Sequence, residues 1–293
     1  MHQAIHGRRL GLAQIHIAAV LAGGSGLFGK LLSVSPAVIT TGRTVIGSLA
    51  LLSFAVLTAT SLRIRNRRDG LILLCSGALL AAHWLTFFGA IQVSTVAIGL
   101  LAFSTFPLFT TLLEPLWFGE RMHRRDIFTA CAVTAGLVLV TPSFDPGNHL
   151  TQGVLLGVLS ALIYAVLSLL SRSCSAKYPA ITISFYQQVV AALCTLPISL
   201  TWQGHISLHD GLLLILLGVV FTALGQALVV ASLRHIRAQT ASVVIGLEPV
   251  YAILFAWLLL HELPAGRTLL GGLLICGTVF TASLTQARSQ PAT

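Results

Sequence analysis

The chain has 293 residues, of which 56% are hydrophobic and only 9% charged, with a mean hydropathy of +0.91. Soluble domains carry about 25% charged residues, so this chain cannot cover a water-facing surface, and the bilayer must be the solvent for most of it. The formal charge of +9 does not point to nucleic acid, because the basic residues are scattered through short loops between apolar runs, as membrane topology is written.

A span needs about 20 apolar residues to cross about 30 Å of hydrocarbon. Ten segments qualify, over approximately 11–33, 36–58, 70–91, 94–117, 126–142, 152–171, 181–201, 211–233, 239–260 and 267–286. The first could pass for a signal peptide, with Arg8-Arg9, an apolar stretch and Val20-Leu21-Ala22 as a cleavage site. Its apolar run continues through Gly23-Gly24-Ser25-Gly26 to Leu32, however, and reads as a retained helix. Helices are expected because lipid cannot satisfy an open backbone. The alternating segments of about 10 residues that mark a spanning β-barrel are missing.

With the amino terminus in the cytoplasm, fourteen Lys and Arg fall inside and only Arg267 in an external loop, while Lys30 and Arg43 lie within spans. That asymmetry predicts a multi-pass protein of the cell (inner) membrane with both termini cytoplasmic. The five cysteines form no CxxC pair, and no disulfide, metal or cofactor is expected. GxxxxGK[ST], HExxH and GxSxG are all absent, which argues against ATP-driven pumping and against a protease or hydrolase.

Shifting the chain by 142 positions superposes Pro107 on Pro249, Glu120 on Glu262 and Arg125 on Arg267. Near the second helix of each half the shift is 143, pairing Ser35-Pro36-Ala37 with Tyr178-Pro179-Ala180. The expected organisation is two five-helix repeats, 1–148 and 149–293. Five is odd, so the repeats are inverted, a common architecture of secondary transporters. The expected fold class is all-α.

The repeats also carry short motifs. The first has Ala90-Ile91-Gln92-Val93-Ser94-Thr95, Phe106-Pro107-Leu108-Phe109 and Leu116-Trp117-Phe118-Gly119-Glu120-Arg121. The second has Ala231-Ser232-Leu233, Leu247-Glu248-Pro249-Val250 and Leu258-Leu259-Leu260-His261-Glu262. This pattern resembles the paired EamA-type repeats of the drug/metabolite transporter superfamily, and Arg43 matches an arginine common there. The second half departs from it with His261-Glu262-Leu263, and with Phe185 or Tyr186 where Arg43 would repeat. The resemblance implies export or exchange of small metabolites, amino acids or drugs. It also implies a central cavity lined by helices 1, 3 and 4 and by 6, 8 and 9.

A charge inside the hydrocarbon costs about 2.5–3.5 kcal/mol on insertion scales, so each one needs a reason. Glu248, beside the helix-breaking Pro249, is the leading candidate for proton coupling or ligand contact, with Pro107 as the matching breaker. A protonated Glu248 bonded to a neighbouring helix is its structural alternative. Arg43 would attract an anionic group; a pairing with a carbonyl or an interfacial position competes. His83, Trp84 and Phe87 suit an aromatic or cationic ligand or simple packing. Ser104, Tyr164, Gln187, Gln226 and Tyr251 supply further polar groups near the midplane. Lys30 is expected to snorkel, and Glu114 to partner nearby arginines at a helix end.

The chain therefore reads as a secondary transporter working by alternating access, with a small-molecule substrate, a lipid bilayer and protons as partners. It is expected as a monomer or homodimer. Uptake is the alternative direction. A membrane-embedded transferase is the alternative class, but it would group acid, base and nucleophile near one interface, whereas the ionisable groups here are dispersed.

Overall fold

A computed structural model describes residues 2–118, 124–141, 145, 147–236, 238–261 and 263–288. Glu120, Arg121, Glu262 and Arg237, used above for repeat and topology, lie outside the described residues. The described chain is helical, with no strand.

The helices are α1 (His2–Gly26), α2 (Phe28–Leu31), α3 (Pro36–Leu57), α4 (Arg67–Val93), α5 (Val96–Phe103), α6 (Phe106–Phe118) and α7 (Arg124–Val140) in the first half. The second half has α8 (His149–Ser175), α9 (Ala180–Ser199), α10 (Leu208–Leu216), a π-helical segment (Leu217–Leu224), α11 (Gly225–Ser232), α12 (Ala238–Ile245), α13 (Glu248–Leu260) and α14 (Gly266–Arg288). Joined end to end, these pieces make ten rods among the described residues, five per repeat. Seven of them are long and apolar enough to cross a membrane, and Cys131–Val140 and Glu248–Leu260 are shorter apolar helices.

Sequence sets the rod ends. Ser35, Asn66, Thr95, Asn148 and Ser207 stand at N-caps, and their side chains accept from Val38, Asp69, Ile98, Leu150 and Asp210 backbone N–H groups. Each cap satisfies a donor that the first turn leaves open. Within the rods, Ser and Thr hydroxyls turn back on their own helix, as Thr40 does to the Pro36 carbonyl at 2.7 Å and Ser171 to the Leu167 carbonyl at 2.8 Å.

Four rods that read as continuous are not, the first being interrupted at Leu27 between α1 and α2. The fourth breaks at Ser104-Thr105 and the ninth at Gly246-Leu247, and each restarts with proline as its second residue. Proline lacks an N–H but is well tolerated in a first turn, so it fixes where the new helix begins. The eighth rod passes through the π segment, where Thr222 Oγ1 donates to the Leu217 carbonyl five residues back at 2.7 Å.

The packing has the two-fold character of an inverted repeat. The second rod lies on the seventh and the fifth on the tenth. The third lies on the sixth and the eighth on the first, while α5 packs on α8 and α13 on α1. Gly11 and Gly153 occupy matching crossings. A Cβ on Gly11 would stand 2.7 Å from His235 Cβ and 3.4 Å from the Ser232 carbonyl oxygen. One on Gly153 would collide with Ser94 and stand 3.2 Å from the Ala90 carbonyl oxygen.

Candidate functional site

Between the repeats lies a small, partly open cavity lined by both of them. The first rod contributes Ala18, Ala22 and Ser25; the third, His83, Trp84 and Phe87; the fourth, Phe103. Tyr164 comes from the sixth, Phe221, Thr222, Gly225, Gln226 and Val229 from the eighth, and Ile245 and Glu248 from the ninth. Six of the residues singled out in the sequence thus share one wall system: Glu248, His83, Trp84, Phe87, Tyr164 and Gln226.

Glu248 is the first residue of α13, directly after the break, and is 4% exposed. It therefore stands at a helix N-terminus rather than inside a continuous helix, and the open N–H groups and dipole of that end favour a carboxylate. The break is pressed against the first rod. A Cβ on Gly23 would lie 2.8 Å from the Glu248 carbonyl oxygen and 2.8 Å from Tyr251 Cβ, so only glycine lets α1 approach this closely. Tyr251 accordingly packs on α1 and is not among the lining residues.

Arg43 is fully buried and lies one layer behind the cavity, not at the interface. Its Nε donates to Thr222 Oγ1 at 2.8 Å, and its guanidinium carbon stands 3.6 Å from the centre of the Trp84 ring. Both Nη atoms are without a hydrogen-bond partner, and no carboxylate among the described residues pairs with them. Stacking on indole is a real attraction, but a buried donor without an acceptor still costs about 1–3 kcal/mol. Trp84 Nε1 and Ser25 Oγ are buried and unpartnered as well.

His83 Nδ1 lies 2.8 Å from Ser160 Oγ, and that hydroxyl donates to the His83 carbonyl at 3.1 Å. A serine has one proton to give, so the ring must donate through Nδ1, which leaves Nε2 as an acceptor. Around His83 sits an aromatic shell: Trp84, Phe87, Phe103 and Tyr164 rings have centroids within 4.5–5.8 Å of the imidazole.

The remaining candidates are nearby but not on the wall. Gln226 Nε2 donates to Gln187 Oε1 at 3.3 Å, and Gln187 Nε2 to Ser171 Oγ at 2.8 Å, a polar string leading away from the cavity. Ser104 donates to its own Leu101 carbonyl at 2.7 Å. Pro107 and Pro249 act through the breaks. Ser25, Phe103, Thr222 and Phe221 were not singled out in the sequence; hydroxyls and phenylalanines are common in spans, and only the packing of distant rods selects these four.

Beyond the string, the two repeats are tied at the arginine-rich end. Glu114 pairs with Arg172. Asp69 accepts from Tyr178 Oη at 2.7 Å and from Lys177 Nζ at 3.0 Å, while Arg234 reaches the Tyr178 carbonyl at 2.9 Å. The bond to Asp69 holds the Lys177 ammonium above its ordinary value, and desolvation holds the Tyr178 phenol above its own. At the other end Ser33 N–H donates to Asp210 at 3.1 Å and Arg267 reaches the Leu139 and Thr141 carbonyls at 3.1 and 2.8 Å, while Lys30 Nζ donates within the first repeat to the Ser94 carbonyl at 2.7 Å.

Ten apolar rods in two inverted sets, closed around a cavity with isolated buried charges, define a membrane transporter. The chain belongs to the EamA-like transporter family, whose model matches it twice, at residues 9–141 and 151–284. It is similar to the pseudopaline exporter CntI of Pseudomonas aeruginosa, at 28% identity over 75% of this chain and 78% of that one. An uncharacterized transporter of Archaeoglobus fulgidus is 29% identical over 94% of this chain and 96% of its own. A solved crystal structure superposes with a TM-score of 0.72 over 98% of this chain and 99% of that one; at 20% identity the likeness is one of fold.

Proposed function

We propose that the chain is a secondary carrier that exports or exchanges a small organic metabolite across the cytoplasmic membrane by alternating access, with Glu248 as the group that takes up and releases a proton. The observation that carries this reading is Glu248 itself, a lone carboxyl at a helix break on the wall of a cavity shared by both repeats. A break inside a spanning helix is a usual place for a transporter site, and a carboxyl exchanges a proton where an amide cannot. The arginine-rich end is assigned to the cytoplasm on the positive-inside rule. The ties there, Glu114–Arg172 and Asp69–Lys177–Tyr178, would have to part for the cavity to open inward. Export as the direction draws on the name of the Pseudomonas relative. The boundary between repeats is taken at 148/149, in the connection before α8.

Exchange across proteoliposomes tests this reading. A panel of labelled amino acids, nucleosides and quaternary amines is loaded, and efflux is followed with and without a pH gradient. The expected result is saturable exchange driven by the gradient, with the drive lost in Glu248→Gln. Gradient-driven exchange that survives intact in Glu248→Gln would remove the coupling role.

A further inference from the structure

The second and third rods are joined by a non-helical strap, residues 58–66. Its backbone is held by the start of the seventh rod. Thr182 Oγ1 donates to the Ser61 carbonyl at 2.9 Å and Tyr186 Oη to the Leu62 carbonyl at 3.0 Å, while the Arg65 N–H donates to Tyr178 Oη at 3.1 Å. The side chains therefore alternate. Leu62 and Ile64 are half-buried, with Ile64 packed on the cluster of Leu73, Cys174 and Ile183, whereas Arg63 and Arg65 are exposed. Arg67 and Arg68, also exposed, open α4. A helix N-terminus disfavours cations, so these two do nothing for the helix they begin. Asp69 and Glu114 are engaged by Lys177 and Arg172, and no carboxylate among the described residues pairs with any of the four arginines.

Exposed apolar surface adjoins these charges. Arg67, Leu71 and Leu74 fall at i, i+4 and i+7, one stripe of α4, and both leucines are more than half exposed. We propose that the strap and the start of α4 form a binding surface for anionic phospholipid, with the phosphate on Arg63, Arg65, Arg67 and Arg68 and an acyl chain along Leu71 and Leu74. Polybasic segments beside a span attract anionic headgroups. Topology alone asks for charge at this end; it does not ask for a strap pinned at three points that turns its arginines outward. A free phosphate would leave the leucines bare, and an acidic peptide would meet the arginines but not the hydrocarbon face. A zwitterionic headgroup brings its own cation to a surface with no carboxylate to receive it. The Tyr178 hydroxyl that accepts from Arg65 also donates to Asp69 at 2.7 Å. Lipid that fixes the strap therefore also fixes a tie between the repeats and favours the closed form of this end, a consequence that rests on the carrier reading above.

The test is thermal melting of the purified full-length protein in neutral detergent, titrated with dioleoylphosphatidylglycerol, with dioleoylphosphatidylcholine or with inorganic phosphate. A ligand of the folded state raises its apparent stability. The expected result is a saturable rise in Tm with phosphatidylglycerol that neither of the others reproduces. Arg63→Gln with Arg65→Gln should shift the midpoint of that titration about tenfold or more to higher lipid, and the paired lysine variants should keep most of the effect. Arg8→Gln with Arg9→Gln removes the same charge from the start of α1 and should leave the midpoint in place. Tyr178→Phe keeps every cation but unties Arg65, so it should weaken the lipid effect as well. Each comparison is made within one variant, so a fold defect, which lowers Tm with and without lipid, does not imitate the result. Phosphatidylcholine or phosphate as effective as phosphatidylglycerol overturns the proposal, and so does an Arg8/Arg9 pair that matters as much as Arg63/Arg65. Melting does not depend on transport: a protein that exchanges nothing can still show this surface, and loss of the surface leaves the carrier reading intact.

Discussion

Phe106 and Glu248 occupy the same station in the two repeats: each opens the second helix of a broken rod, and each is followed by proline. The backbone device is thus duplicated, but the first copy fills the station with an aromatic ring and the second with a carboxyl. Phe106 lies 5.3 Å, centroid to centroid, from Phe103 and 5.2 Å from Tyr164. One copy of the break therefore packs an aromatic ring behind the wall residues Phe103 and Tyr164, and the other supplies the charge on the wall itself.

Replacing Pro249 by Ala tests whether the break matters beyond its side chain. Proline at a compatible first-turn position stabilises by about 0.4–1 kcal/mol through the unfolded chain, so Pro249→Ala should cost no more than that in unfolding experiments. Exchange should fall more steeply, several-fold or beyond, because α12 and α13 are then free to join. Equal, small losses in both assays would assign the proline to stability alone.

Gly23→Ala introduces a methyl group 2.8 Å from the Glu248 carbonyl oxygen, where backbone rather than a flexible tip must yield. The expected destabilisation is about 1–3 kcal/mol, accompanied by a loss of exchange as the break is pushed outward. Gly277→Ala is the control. Nothing lies within 4 Å of its new methyl, and alanine is the better helix former by about 1 kcal/mol, so thermal melting should be unchanged or higher.

Glu114 and Arg172 belong to different repeats and form an ion pair. A double-mutant cycle with Glu114→Gln and Arg172→Gln, read by unfolding in mild detergent, should give a coupling of about 0.5–3 kcal/mol. Single changes should also speed labelling of the Gln187→Cys variant, on the polar string, by a membrane-impermeant thiol reagent. Additive effects with unchanged labelling would deny the pair a role in closing that end.

The Lys177–Asp69 bond has a defined pH signature. Its folded-state ammonium titrates above the unfolded one, so the stabilisation is complete below the ordinary lysine value and is lost as pH rises through the folded one. Lys177→Met should therefore lower the melting temperature at neutral pH, and the gap from wild type should narrow only under strongly alkaline conditions. A gap that is constant across that range would mean the loss is one of packing.

Much of this was legible in the chain itself. The ten rods follow from apolar runs separated by charge, because lipid leaves the backbone few choices. Pro107 and Pro249 announced the repeat, and Glu248 announced itself as a charge with no business in hydrocarbon. What could not be read were relations across large separations. Arg43 meets Thr222 at 179 positions' distance, and nothing in either neighbourhood hints at the other. Tyr251 looked like a cavity residue by depth alone, yet its side chain is taken up by Gly23 on α1. The π segment Leu217–Leu224 is uniformly apolar apart from Thr222, and its pattern is indistinguishable from an ordinary spanning helix.

That π segment has an arithmetic consequence. Gly77 on α4 faces Val190 and Gly218 faces Ile46, matching contacts of the third rod with the seventh and of the eighth with the second. These two glycines are 141 positions apart, whereas Pro107 and Pro249 are 142 apart, so the second repeat carries one residue more between its pair. The widened turn lies in that interval and absorbs it. Strict two-fold symmetry would make the two faces of such a molecule interchangeable and its two end states equal in energy. The widened turn, like Glu248 in the place of Phe106, removes that degeneracy, so the two end states of a fold built from two copies of one plan need not be equal in energy.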